Sequence, residues 1–156
     1  MSIEDRLKEL GITLPKVSTP AANYVPFVQE GNLVFISGQV PFAPDGSGKM
    51  EFVGRLGQDF TTEQGQQAAR LCALHCLAQL RQAAGSLDRV KRIVRVGGFV
   101  NCTPDFTEQP QVINGASDVI VEIFGDKGRH ARAAIGNNVL PRGVATEVEM
   151  IAALER

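Results

Sequence analysis

The stretch from Thr61 to Gly85 constrains the possible folds more than any other part of the chain. Thr61 stands where a helix N-cap belongs, and Gln64, three residues on, completes a capping box. Ala69, Cys72, Ala73, Cys76, Leu77, Leu80 and Ala84 follow at intervals of three and four, which places them on one helix face. Gly85 terminates the pattern. So long an apolar stripe needs a broad apolar surface to cover. The segment from Asn32 to Pro41 reads as a strand too apolar to be half-exposed, and Val90 to Val100 as another, broken by Thr103-Pro104-Asp105. Near the C-terminus, 129–135 and 146–151 read as two strands joined by a turn at Pro141 and Gly143. That reading puts Arg132 on one strand and Glu147 and Glu149 on its partner.

Ser2 to Leu10 reads as a short helix, capped by Ser2 and closed by Gly11. Pro15, Pro20 and Pro26 make the next stretch extended or turn-rich. Residues 43–48 form a turn, and Met50 to Val53 could return as a short strand. Residues 111–124 carry two patterns. Val119 to Ile123 has strand propensity, while Val112, Ala116, Ile120 and Ile123 have helical spacing. Length favours the helix, with Gly125 as its cap. The expected fold class is α+β, with two helices packed on one face of a mixed sheet. Nothing divides the chain, so residues 1–156 form a single domain, with 1–18 as a helical and extended lead-in. Leu33, Phe35 and their neighbours are apolar on both alternations, so the other sheet face also needs cover. A partner subunit is one way to supply it, and a closed homo-oligomer would follow.

A net charge of −1 gives no field to gather nucleic acid or an anionic membrane. No apolar run approaches the roughly 20 residues that span a bilayer. The opening residues are charged and lack a signal-peptide core, so a cytoplasmic location is the expectation. The basic run Arg89 to Arg95 reads as a solvated strand edge rather than a nucleic-acid surface. Three cysteines and two histidines, without Cys-x-x-Cys, argue for buried free thiols and against a structural zinc. Cys72, His75 and Cys76 lie together on one helix and read as core and rim. No Gly-x-Ser-x-Gly elbow or phosphate loop occurs.

Arg132 is the residue whose chemistry stands out. A permanently charged planar guanidinium sits in an alanine-rich strand, where an apolar side chain is easier to bury. Such a group grips a small carboxylate through two parallel hydrogen bonds. A carboxylate nearby, Glu147 or Glu149, could place a water. The plainer reading is a structural ion pair between Arg132 and one of those glutamates. Ser37, in an apolar strand before Gly38, reads equally as a buried serine bonded to backbone. His130, two residues before Arg132, reads as polar interface packing before it reads as a proton shuttle. Asn114 and Ser117 read as a helix cap or as pocket residues.

Taken in order, Pro26-Phe27-Val28-Gln29, Ser37-Gly38-Gln39-Val40-Pro41, Thr62-Glu63-Gln64, Phe99-Val100, Arg132, Leu140-Pro141 and Glu147-Val148-Glu149 make the chain resemble the RidA/YjgF family, also described as endoribonuclease L-PSP-like. The likeness runs from Thr19 onward. It implies a chorismate-mutase-like fold and a homotrimer with clefts between subunits. It implies that Arg132 holds a substrate carboxylate, that Glu147 places the hydrolytic water, and that Ser37, Phe27 and Ala134 line the pocket. The implied reaction converts 2-aminoacrylate-type enamines, as imines, to 2-keto acids and ammonia, without metal or cofactor. The alternative is a non-catalytic trimer that binds small carboxylates or acts as a chaperone. The chain departs from the family pattern at three places. Phe27 stands for a common tyrosine, Ala134 for a common cysteine, and residues around Thr107 to Ser117 form an insertion ahead of the second helix.

Overall fold

A computed structural model describes residues 1–17 and 22–156. The expectation for Pro20 and the start of the family likeness at Thr19 lie outside the described residues. The elements run α1 (Ile3–Glu9), β1 (Phe27–Glu30), β2 (Leu33–Gln39), α2 (Thr62–Ala84), β3 (Val90–Asn101), α3 (Gln109–Phe124), β4 (Ala131–Asn137) and β5 (Thr146–Leu154).

Local chemistry explains where each helix begins and ends. The Ser2 hydroxyl accepts from the Asp5 backbone N–H to start α1. The capping box of α2 is complete: Thr61 Oγ1 accepts from the Gln64 N–H, and the Gln64 side chain accepts from the Thr61 N–H. Gly85, at φ 82°, ends that helix in a conformation that would strain a residue bearing a Cβ. Helical spacing prevails over strand propensity in α3, whose Val112, Ala116, Ile120 and Ile123 are all buried. Of the residues read as an insertion ahead of this helix, Gln109 to Ser117 belong to the helix itself, because Pro110 suits a first helical turn.

The five strands lie in the order β1-β2-β5-β3-β4. This corrects the C-terminal hairpin. β4 does not pair with β5; it runs parallel to β3, which separates the two. Asn101 at the end of β3 explains the detour. It is 2% exposed, and its amide donates to the carbonyls of Gly143 (3.3 Å), Val144 (3.1 Å) and Gly54 (3.3 Å). The Pro/Gly turn is therefore fastened across the end of β3, and β5 enters the sheet on the far side of that strand. Two further readings change. Met50 and Val53 make only isolated bridges, to Phe42 and Val144, and no strand forms there. Arg89 to Arg95 leads into and along an interior strand rather than an edge, with Lys91, Arg92 and Arg95 exposed.

Helices α2 and α3 cover one sheet face. The whole predicted stripe of α2 is buried, against Val34, Ile36, Val96, Val148, Met150 and Ala152 from the strands. Burying a leucine or valine side chain contributes about 1.5–3 kcal/mol, so this layer dominates stability. All three cysteines are free and buried. His75 is core rather than rim, at 2% exposed, with Nε2 on the Phe42 carbonyl at 2.8 Å. Among the described residues no cluster of His, Cys, Asp or Glu is arranged to hold a metal, and no helix is long and apolar enough to cross a membrane.

Candidate functional site

Strand alternation decides which candidate residues can meet. On β5, Thr146, Val148, Met150 and Ala152 point into the core, so Glu147, Glu149 and Ile151 point to the bare face. Arg132 lies beside Val96, which in turn pairs with Met150; both are buried under the helices. Arg132 and Glu147 therefore occupy opposite faces of the sheet, with β3 between their strands. Neither the neighbouring-strand pairing nor the Arg132–glutamate ion pair exists within the chain. None of the ion pairs among the described residues involves Arg132.

Arg132 is instead held by neutral acceptors from α3. Its Nη1 donates to Asn114 Oδ1 at 2.9 Å and to Ser117 Oγ at 3.2 Å. Its Nη2 donates to the Pro110 carbonyl at 3.4 Å. A guanidinium has five N–H donors. The two left over, one on Nε and one on Nη2, can donate to the oxygens of a carboxylate. The cation is thus fixed in direction while its charge is left without a carboxylate. An open groove beside it is lined by Ser117, Asp118, Val121, Arg129, His130 and Arg132.

Asn114 and Ser117 prove to be the residues that orient Arg132. The sequence marked them only as ambiguous, because their one legible signal is position. They fall three apart on α3, on the turn of helix that faces β4. His130 also belongs here, with Nε2 2.9 Å from Ser117 Oγ and Nδ1 2.6 Å from the Gly128 carbonyl. Burial, with the Arg132 cation opposing protonation as well, holds the His130 pKa below the ordinary histidine value, although the Gly128 carbonyl works the other way.

A second cluster lies on the bare face. The Glu147 carboxylate rests against Gly38, where any Cβ would collide with Oε1. Burial, and secondarily the Glu149 charge, raise the Glu147 pKa. Ser37 adjoins this corner. Its hydroxyl donates to the Val25 carbonyl at 2.7 Å, which ties it to the segment entering β1. Glu149 packs in the same way over Gly97, in a small groove with Phe35, Arg95 and Ile151.

Within one chain, Phe27 and Ala134 join neither cluster. Phe27 pairs with the buried Ile36, packs against the core, and stands on the edge strand opposite to β4. Four interstrand steps of about 4.8 Å put it on the order of 19 Å from Arg132, beyond the reach of one arginine side chain. Ala134 lies on the helix-covered side, also against the core. The single chain therefore holds two separate polar clusters. Arg132 with Asn114, Ser117 and His130 is at the β4 edge; Glu147 with Ser37 and Gly38 is on the bare face.

Comparison with known proteins agrees with this architecture. Residues 4–154 match the model of the YjgF/chorismate-mutase-like endoribonuclease family. Protein TCP17 of Trypanosoma cruzi is 49% identical over 149 residues, covering 95% of this chain and 91% of that protein. The crystal structure of Atu1372 from Agrobacterium tumefaciens, a protein of unknown function, superposes with a TM-score of 0.88 at 46% identity, covering 99% of this chain and 94% of the other. An endoribonuclease-like structure from Shewanella oneidensis gives a TM-score of 0.93 at 39% identity, covering 99% and 100%. With a family match spanning nearly its full length, the chain belongs to the YjgF/chorismate-mutase-like endoribonuclease family, the RidA/YjgF family its motifs resemble.

Proposed function

We propose that this protein binds a small carboxylate-bearing metabolite at Arg132 and hydrolyses reactive 2-imino acids, in the manner of 2-aminoacrylate, to 2-keto acids and ammonia. The observation that carries the reading is the guanidinium itself: oriented by three neutral acceptors, unpaired with any carboxylate among the described residues, and beside an open groove. An imine carbon is already electrophilic. The enzyme's task is to hold the acid group and place a water, so orientation supplies much of the rate. Glu147 would orient that water. Because Glu147 lies on the other sheet face, the site is completed only when the bare face of one copy meets the β4 edge of another. That arrangement requires a closed oligomer, which we take to be a trimer, and it also covers the exposed Phe35, Val28 and Ile135. The surroundings of the site ask for no metal or cofactor, and the chain's near-neutral charge offers nothing to an RNA backbone.

The test is ammonia release from freshly generated 2-aminoacrylate. Wild type should exceed the buffer rate, and Arg132→Ala should fall by about a hundredfold, the loss expected for a bidentate charge-assisted contact. A wild-type rate no faster than buffer overturns the hydrolysis. One observation favours a second reading, a binding module without turnover: Phe27 and Ala134 bring no protic group to positions where the family commonly has a hydroxyl and a thiol. Arg132-dependent carboxylate binding without ammonia release would select it.

A further inference from the structure

The groove beside Arg132 contains a proton acceptor of its own. A backbone carbonyl can only accept, so the 2.6 Å contact between His130 Nδ1 and the Gly128 oxygen places the imidazole proton on Nδ1. Nε2 is then bare, and the 2.9 Å contact with Ser117 Oγ must be a hydroxyl donating to it. The remaining lone pairs of Ser117 Oγ face Arg132, whose Nη1 donates to the oxygen at 3.2 Å. The serine is thus gripped from two sides, by a base that takes its proton and by a cation that stabilises its negative charge. Both arms come from fixed elements: Ser117 from α3, and His130 from the turn that leads into β4. A serine on a helix ordinarily satisfies its hydroxyl on its own backbone; this one reaches across to the histidine.

We propose that Ser117 and His130 form a proton relay for the reaction at Arg132, with Ser117 facing the substrate and His130 acting through it. The inference rests on the reading of Arg132 as the carboxylate holder. With the acid group on Arg132, water attacks the imine carbon. A new C–O bond forms and the C=N electron pair moves onto nitrogen. The water proton passes to Ser117 Oγ as the serine proton passes to His130 Nε2. The proton returns along the same path to the nitrogen, giving a carbinolamine. The new hydroxyl then sends its own proton through the relay to that nitrogen. Its O–H electron pair forms the C=O bond as the C–N bond breaks, and ammonia leaves with the 2-keto acid. Glu147 from a neighbouring copy then has only to orient the water. The charged groups around the imidazole are Arg132 on β4, Arg129 and Asp126 in the lead-in turn, Asp118 on α3 and Arg92 at the start of β3. Of these, Arg132 is the one whose charge acts on the imidazole, so its neutralisation is what His130 would sense.

The test uses the full chain and pyruvate, a simple 2-keto acid, as the probe. Only two histidines are present, so His130 and His75 can be followed separately by nuclear magnetic resonance. Pyruvate bound at Arg132 should raise the His130 titration midpoint and leave His75 unmoved. By reciprocity pyruvate should bind about fivefold tighter at pH 5.5 than at pH 7.5. His130→Gln should keep binding but lose that pH dependence. In the ammonia assay Ser117→Ala should lower kcat by about a hundredfold with little change in KM, and Ser117→Thr should recover much of it. Pyruvate binding that leaves His130 untouched, with Ser117→Ala and His130→Gln turning over normally, would overturn the relay alone and make the pair structural. No Arg132-dependent binding at all would overturn the functional reading and the relay with it. Coupled binding without wild-type turnover would leave a proton-linked carboxylate site and dismiss the catalytic step.

Discussion

The two faces of the sheet follow opposite rules. Under the helices most inward positions are apolar, and Cys72 and Cys76 turn their thiols to the carbonyls of Thr146 and Val148. Burial pushes the Cys72 thiol up to about 12, so it behaves as a small apolar side chain. The bare face alternates apolar and charged groups: Phe35 (42% exposed) and Ile151 beside Arg95, Glu147 and Glu149. The covered face is finished within one chain. On the bare face a half-buried Glu147, repelled by the exposed Glu149, stands among apolar side chains, as the proposed contact with a second copy would use it. The difference teaches that stability is local to the covered layer, while the groups proposed to carry the chemistry lie at an edge and on the uncovered face.

The largest expected effect breaks the covered side. Gly115 lets α3 approach α2 so closely that a Cβ would collide with the Gln66 carbonyl. Gly115→Ala should cost about 3 kcal/mol or more, because backbone rather than a pliable side chain is struck. Denaturant unfolding would show it as a lowered midpoint; an unchanged midpoint would mean the helices are less closely docked than described. Phe35→Asp should do the reverse. On a half-exposed position it should cost under about 1 kcal/mol per chain, yet sedimentation should show the assembly coming apart. Loss of fold with assembly intact would invert the comparison.

Two smaller effects come from titration. His75 and His130 are both held below the ordinary value of 6.5, chiefly by burial. The unfolded chain then takes up protons that the folded chain refuses, so stability is full above that value and declines as pH falls through it. Thermal melts between pH 7.5 and 5 should show the fall, and His75→Gln and His130→Gln should each flatten it. Glu147 has the opposite sign. Its raised pKa makes the folded state favour the protonated acid, so its contribution is present at low pH and is lost as pH rises. Glu147→Gln should therefore slightly raise the melting temperature at pH 7 and change nothing at pH 4. A lower melting temperature at pH 7 would mean that the carboxylate is paired in the assembly.

Much of the fold was legible because its signals are local. The capping box at Thr61 and Gln64, the α2 stripe and the Gly85 stop each depend on residues within a few positions. The same holds for α3, where spacing outweighed propensity. Sheet order was not legible, because it was decided by one distant amide. Asn101 holds the loop around Gly143 and Val144 across the end of β3, and nothing near Pro141 announces that. The site suffered in the same way. Arg132 could be singled out as an expensive cation, and Glu147 by motif. Which face each occupies follows from register, and Asn114 and Ser117 acquire their meaning only when α3 lies over β4. Phe27 lies at the opposite sheet edge from Arg132 within one chain, so a pocket that holds both has to draw them from two copies.

That division of the site between copies can be tested by mixing subunits. Arg132→Ala and Glu147→Gln chains, each inactive in ammonia release, would be unfolded, combined in equal amounts and refolded together. If one site draws Arg132 from one copy and Glu147 from another, random assembly makes about a quarter of the sites intact, and roughly that share of activity returns. If both side chains must come from the same chain, no intact site can form and the mixture stays as inactive as its parts, which would contradict the account.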